Sequence, residues 1–228
     1  MRIELIDRIG FYIISKVCVK QLTEEHPEWD GRAIKHIAKR QFKQMLHDTP
    51  SIGTHLQNCM KMNMTGGAVW FAIYDAVEQL YGRMTDEQFE RMCHATFTMP
   101  LMVKRMKRMP FFNANFQTKY AKKLDKVNRI KSPYNWTAEY STGAPDSFSI
   151  RFTTCGLCAF AKQTGHMHIL PVLCQSDYTV AAMIGVNLHR DKTLASGDPV
   201  CDYLYTRPCS EVEKQWQAEH PEGTFHSK

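Results

Sequence analysis

The sequence predicts an α+β fold: a helical N-terminal half packed on a small antiparallel sheet of about four strands formed by two hairpins. Three observations predict it. Apolar residues recur at helical spacing up to residue 131, and Pro133 then marks a change to alternation with a period of two. Beyond that point, clusters of Gly, Pro, Ser and Asp separate the alternating runs. Residues 1–228 are read as one domain, with a helical part over 1–131 and a sheet part over 132–228.

Ile3, Ile6, Ile13 and Val17 set out the first helix, and Ile34, Ile37, Ala38, Phe42, Met45 and Leu46 the second, which Pro50 ends. Gly66 and Gly67 precede an apolar segment from Ala68 to Tyr81, with Gly82 as its C-terminal stop. Thr85 and Gln88 form a capping box for a helix to about Cys93. Pro100 and Pro110 bracket a short, basic, Met-rich helix. Phe116, Tyr120, Leu124 and Val127 then give an apolar stripe, opposite a face carrying Lys119, Lys122, Lys123 and Lys126.

In the second half, Trp136, Ala138 and Tyr140 alternate with polar residues. After a turn over Ser141 to Asp146 containing Gly143 and Pro145, Phe148, Ile150 and Phe152 do the same. A second hairpin is expected from Asn187 to Ala195 and Val200 to Thr206, turning at Gly197 and Asp198. A compact segment with helical stretches, Cys155 to Val186, lies between the hairpins. Ser210 and Glu213 cap a last short helix before a polar tail.

Composition excludes several classes. Apolar residues make up 43% and charged residues 23%, which removes long disordered or collagen-like readings. The apolar opening is cut by Lys16, follows Glu4 and Asp7, and is followed by no small-residue cleavage site, so a cytoplasmic chain without signal peptide or membrane span is expected. Ten basic residues between Lys104 and Lys131 face Asp125 alone, more than the whole excess of +6. A solvated lysine face is the expected reading of this block. Nucleic-acid binding ranks last as a partner class, because no aromatic platform interleaves the charges.

Eight cysteines in a chain of this length, without an export signal, are read as reduced thiols. Five of them, Cys155, Cys158, Cys174, Cys201 and Cys209, follow residue 150, which places the candidate chemistry there. Cys158, Cys174 and Cys201 are candidate nucleophiles once a cation such as His189 or Arg190 lowers a thiol pKa. Asp177 and Asp202 are the candidate acid, base or orienting groups. Asp177 could instead cap a following helix, and Asp202 could pair with Arg190 across two strands. His166 and His168 read as loop or surface residues. Cys155-Gly-Leu-Cys158 has zinc-like spacing, and with Cys174 and Cys201 it forms an alternative zinc set; otherwise no cofactor is expected. A dithiol redox role for Cys155 and Cys158 lacks a thioredoxin-like setting.

Cys158, Phe160, Ala161, Pro171, Cys174, Asp177, Arg190, Thr193, Leu194, Gly197, Cys201, Asp202 and Tyr203 together resemble the C-terminal pattern of the L-2-amino-thiazoline-4-carboxylic acid hydrolase family. The resemblance implies hydrolysis of a non-peptide C–N bond in a small cyclic amidine- or isothiourea-like carboxylate. It places catalysis among Cys158, Cys174, Asp177, Cys201 and Asp202, and substrate-carboxylate binding at Arg190 and His189. The C-terminal half also resembles 4-vinyl-reductase-type domains, which implies a non-catalytic module binding a small ligand or metal. A small-molecule partner and a homo-oligomer are consistent with both.

Overall fold

The computed structural model describes residues 1–141 and 145–221. Its order is α1 (Leu5–Glu25), α2 (Gly31–Asp48), α3 (Lys61–Tyr81), α4 (Asp86–Phe97), α5 (Pro100–Met106), α6 (Ala114–Asn128), β1 (Thr137–Ser141), β2 (Ser147–Thr154), α7 (Gly156–Thr164), α8 (Leu170–Ile184), β3 (Asn187–His189), a 3-10 turn (Leu194–Ser196), β4 (Cys201–Thr206) and α9 (Glu211–Glu219). The α+β prediction is borne out: helices fill the first half, and one antiparallel sheet of order β1-β2-β4-β3 lies in the second.

The helical half is built around α3, buried at almost every position from Met64 to Val77. A helix apolar on all sides needs neighbours on all sides; α1 and α2 cover it, and α7 approaches it from the C-terminal half. It begins at Lys61, so Gly66 and Gly67 are inside the helix rather than before it. The reason for Gly67 is tertiary: an added Cβ would lie 2.4 Å from a Leu157 methyl of α7. Thr85 and Gln88 do form the capping box, and α4 runs on to Phe97. On α6, Ala121, Leu124 and Val127 are buried, while Lys119, Lys122, Lys123 and Lys126 are exposed.

In the sheet, direct pairs share a face. Phe148, Ile150 and Phe152 of β2 stand opposite Tyr205, Tyr203 and Cys201 of β4, and these six form the inner face. The first hairpin pairs as expected, Tyr140 opposite Ile150; its turn residues 142–144, with Gly143, and the tail from 222 lie outside the described residues. The second hairpin is shorter than expected. β3 stops at His189, and residues 190–200 form a loop held by side chains instead of a ladder. Asp202 Oδ1 accepts from the N–H groups of Asp191 (3.1 Å) and Lys192 (2.7 Å), and Asp198 accepts from Thr193 N–H at 2.8 Å.

Two buried asparagines join the halves. Asn58 donates to the Ile52 carbonyl and to Asn135 Oδ1, and Asn135 donates to the carbonyls of Val127 and Ile130. Gly156 starts α7 where no side chain fits, since a Cβ there would lie 2.2 Å from the Tyr134 carbonyl oxygen and 2.7 Å from the Trp136 ring. Gly10, in α1, has nothing within 4 Å of an added Cβ. Gly156→Ala is therefore expected to cost roughly 1–3 kcal/mol by overpacking, and Gly10→Ala to gain about 0.5–1 kcal/mol from helix propensity. Urea unfolding midpoints at unchanged slope would check both signs.

Candidate active site

Strand alternation and one helical stripe decide which of the candidate residues meet. Cys201 and Tyr203 lie on the inner face of β4, and Asp202 on the outer. Cys174, Asp177, Tyr178 and Ala181 recur on α8 at intervals of three and four, so they share the side of the helix that packs toward β3 and the 194–196 turn. Cys155 is the N-cap of α7, with Cys158 in the first turn.

At the centre is Arg190, whose side chain is 0% exposed. Its Nη1 donates to Asp177 Oδ2 (2.6 Å) and faces the Tyr203 hydroxyl at 3.1 Å, and Nη2 donates to the Cys174 carbonyl at 3.1 Å. The rings of Tyr178 and Tyr203 both stand 5.1 Å from the guanidinium carbon, close enough for cation–π attraction. Nε alone is left without a partner among the described residues. Burial works against the charge, but Tyr203, Asp177 and Cys174 hold the guanidinium pKa above its ordinary value.

Asp177 is the outward end of this network, its side chain 38% exposed. Its Oδ2 takes both Arg190 and the Tyr203 hydroxyl, the latter at 2.8 Å, and burial beside Asp177 pushes the Tyr203 phenol up, so the phenol remains a donor. Oδ1 has no partner among the described residues. Asp177 sits mid-helix, not at a helix start, so the capping alternative is corrected. The expected Asp202–Arg190 pair is also corrected: Arg190 lies beyond β3 and pairs with Asp177, while Asp202 caps the loop backbone.

The thiols share this neighbourhood with unequal acidity. Cys155, though it starts α7, makes no side-chain capping hydrogen bond to that helix. The Cys158 thiol is the first cause of its lowered pKa, against the cost of burial. Cys158, giving its hydrogen to Cys155 and partly buried near Cys174 and Cys201, is pushed up. Burial, then Asp177, raises Cys174, and burial raises Cys201 to about 11, although its sulfur accepts the Leu194 N–H at 3.2 Å. Of these four thiols only Cys155 is lowered, and sequence reasoning had placed it only in the alternative zinc set. The signal that points to it is its position, one residue before a helix.

Two expected substrate contacts are arranged differently. Arg190 faces inward and its two terminal nitrogens are engaged, so it does not present a free fork to a substrate carboxylate. His189 lies on the outer face, where Nε2 is 2.7 Å from Glu213 Oε2 and its ring stacks on Trp216 at 3.6 Å. It lines a separate cleft of about 450 Å³ between α8, β3 and α9. His166 is buried, not a surface residue: it stacks on Phe71 and its Nε2 is 2.7 Å from Asp75.

Among the described residues, one group of three potential metal ligands brings its donor atoms within 4.8 Å of one another: Glu4, Asp7 and His55. The Lys61 ammonium, itself buried, lies against Glu4 and 3.9 Å from Asp7, so a chain cation already serves that group. Cys155, Cys158, Cys174 and Cys201 are neighbours without reaching that spacing. A zinc–thiolate tetrahedron would need sulfurs about 3.8 Å apart, the edge set by a Zn–S bond of about 2.3 Å.

Removing Asp177 would leave the Arg190 charge sealed and unanswered. Asp177→Ala is expected to lower stability by about 3 kcal/mol, and a second change, Arg190→Met, to restore most of the loss. A double-mutant cycle by urea denaturation checks this; additive losses would contradict it.

Among the described residues, no helix is long and apolar enough to cross a membrane. No curated protein matches the chain. The family model for L-2-amino-thiazoline-4-carboxylic acid hydrolase matches residues 61–205, well over half of the sequence, from the start of α3 to the inner-face tyrosines of β4. The match reaches back beyond the C-terminal pattern to the helix that α7 packs on. The chain thus belongs to the L-2-amino-thiazoline-4-carboxylic acid hydrolase family.

Proposed function

We propose that the chain hydrolyses a non-peptide C–N bond in a small cyclic amidine- or isothiourea-like carboxylate, with ring opening of 2-aminothiazoline-4-carboxylate as the type reaction. The observation that carries this reading is the Asp177 carboxylate, held by a buried guanidinium with its side chain still reaching solvent, in the same half of the chain as Cys155, whose pKa is lowered. The family membership supports the same chemistry.

The amidine carbon of such a ring becomes electrophilic when its nitrogens carry a proton. A carboxylate favours that cation, and Oδ1 of Asp177 is open to accept from it, while Arg190 and Tyr203 keep Oδ2 in place. The Cys155 thiolate adds to the amidine carbon, and the ring C–N bond breaks as the nitrogen leaves with a proton. The Cys158 thiol, which directs its hydrogen at Cys155 at rest, is placed to supply that proton. Water then adds to the same carbon and expels the thiolate, which leaves a carbamoyl derivative of cysteine. Cys174 and Cys201, kept protonated, form small walls. Asp202 and His189 take no part.

Turnover of 2-aminothiazoline-4-carboxylate by the purified chain tests this directly. Cys155→Ser is expected to reduce kcat/KM by on the order of 10²–10⁴, and Asp202→Asn to leave it within about twofold. Because the Cys155 pKa is lowered, kcat/KM should fall as pH drops, with a midpoint below the about 8.5 of an ordinary thiol. Full activity in Cys155→Ser, or no ring opening of any cyclic isothiourea, rules the proposal out.

A further inference from the structure

We infer that Cys155 and Cys158 form a thiol–disulfide switch, which closes by exchange with a low-molecular-weight disulfide. The inference deepens the hydrolase reading, because closing the bond withdraws the sulfur that reading assigns to catalysis. The chemistry of the pair stands independently of it.

The placement carries the argument. Cys155 is the N-cap residue of α7 and Cys158 follows in its first turn, the Cys-X-X-Cys spacing that sets two side chains on one side of a helix start. Each thiol is the first influence on the acidity of the other, which agrees with that placement. Gly156 between them is pressed against Tyr134 and Trp136, which fixes where the helix begins and hence where both sulfurs stand. Both residues are partly exposed, so a small disulfide has access, whereas Cys18 and Cys93 are buried in the helical core.

The exchange balances. The Cys155 thiolate attacks one sulfur of the small disulfide; a mixed disulfide forms, and the other half leaves as a thiolate with its electron pair. Cys155 then carries no charge, so Cys158 no longer gives its hydrogen to it and is itself left over the helix start. Cys158 passes its proton to the departing thiolate and attacks the Cys155 sulfur. The second half of the small disulfide leaves, and the Cys155–Cys158 bond is made. Two protein thiols are oxidised by two electrons, and the small disulfide is reduced to two thiols.

The full chain would be equilibrated with glutathione and glutathione disulfide over a series of ratios, quenched with acid and an alkylating agent, and digested with trypsin. Residues 152–162 fall in one peptide that contains both cysteines. The expected result is a peptide lighter by two hydrogens in oxidising mixtures, restored in reducing ones. Cys158→Ser should stop at a glutathione adduct on Cys155, formed on the order of tenfold faster than on the exposed Cys209. Cys209→Ala should not change closure. If both thiols of the native peptide stay free while Cys209 reacts, or if Cys158→Ser gathers no adduct on Cys155, the switch is overturned. Mass reads the bond without reference to turnover. Closure in a chain that opens no ring sinks the hydrolase reading alone, closure seen by mass with unchanged turnover removes Cys155 from catalysis, and failure to close in a chain that turns over sinks the switch alone.

Discussion

Sealing a guanidinium from water is the constraint around which the C-terminal half is arranged. An arginine head cannot lose its charge, so its nitrogens must find acceptors inside the protein. Arg190 finds them in Asp177, the Cys174 carbonyl and two tyrosine rings, and these fix α8 against β4 at one register. One nitrogen, Nε, has no hydrogen-bond partner among the described residues. Asp177 pays for none of its own burial, because it reaches solvent while its rear oxygen is held.

That arrangement separates two jobs that the residue types alone leave mixed. Arg190 is sealed and holds one oxygen of Asp177, and Asp177 is the group that reaches solvent. The same division holds among the thiols. Cys174 and Cys201 are raised by burial first and Cys158 by its contact with Cys155, while the fourth thiol, Cys155, is lowered first by Cys158. Acidity at this site follows from local donors, and not from the proximity of a histidine or a free arginine.

Most of the fold is legible in the sequence because its signals are local. The capping box at Thr85, the α6 stripe and the Phe148-Ile150-Phe152 alternation each depend on residues a few positions apart. The same holds for Ser210, whose hydroxyl accepts the Glu213 N–H as its spacing implies. The places where reading by spacing fails are those where a distant partner decides. Gly66 and Gly67 look like a break before a helix, yet α3 runs through them, and Gly67 is small because Leu157 of α7 fills the space beside it. The β3 run ends early because side chains of Asp198 and Asp202 satisfy the following backbone in place of a ladder.

What the sequence by itself determined is the α+β order, the presence of the helices though not all their limits (α3 starts at Lys61, well before Ala68), the family, and the concentration of thiols and carboxylates after residue 150. Tertiary structure alone decided which of those groups meet. A one-residue step along β4 turns Tyr203 inward and Asp202 outward, and only the pairing register says which is which. Likewise, the types and spacing of Cys155 and Cys158 are visible in the chain, but their unequal acidity depends first on how the two thiols meet and then on burial. Strand register and burial are set by contacts between elements far apart in sequence, which no local pattern encodes.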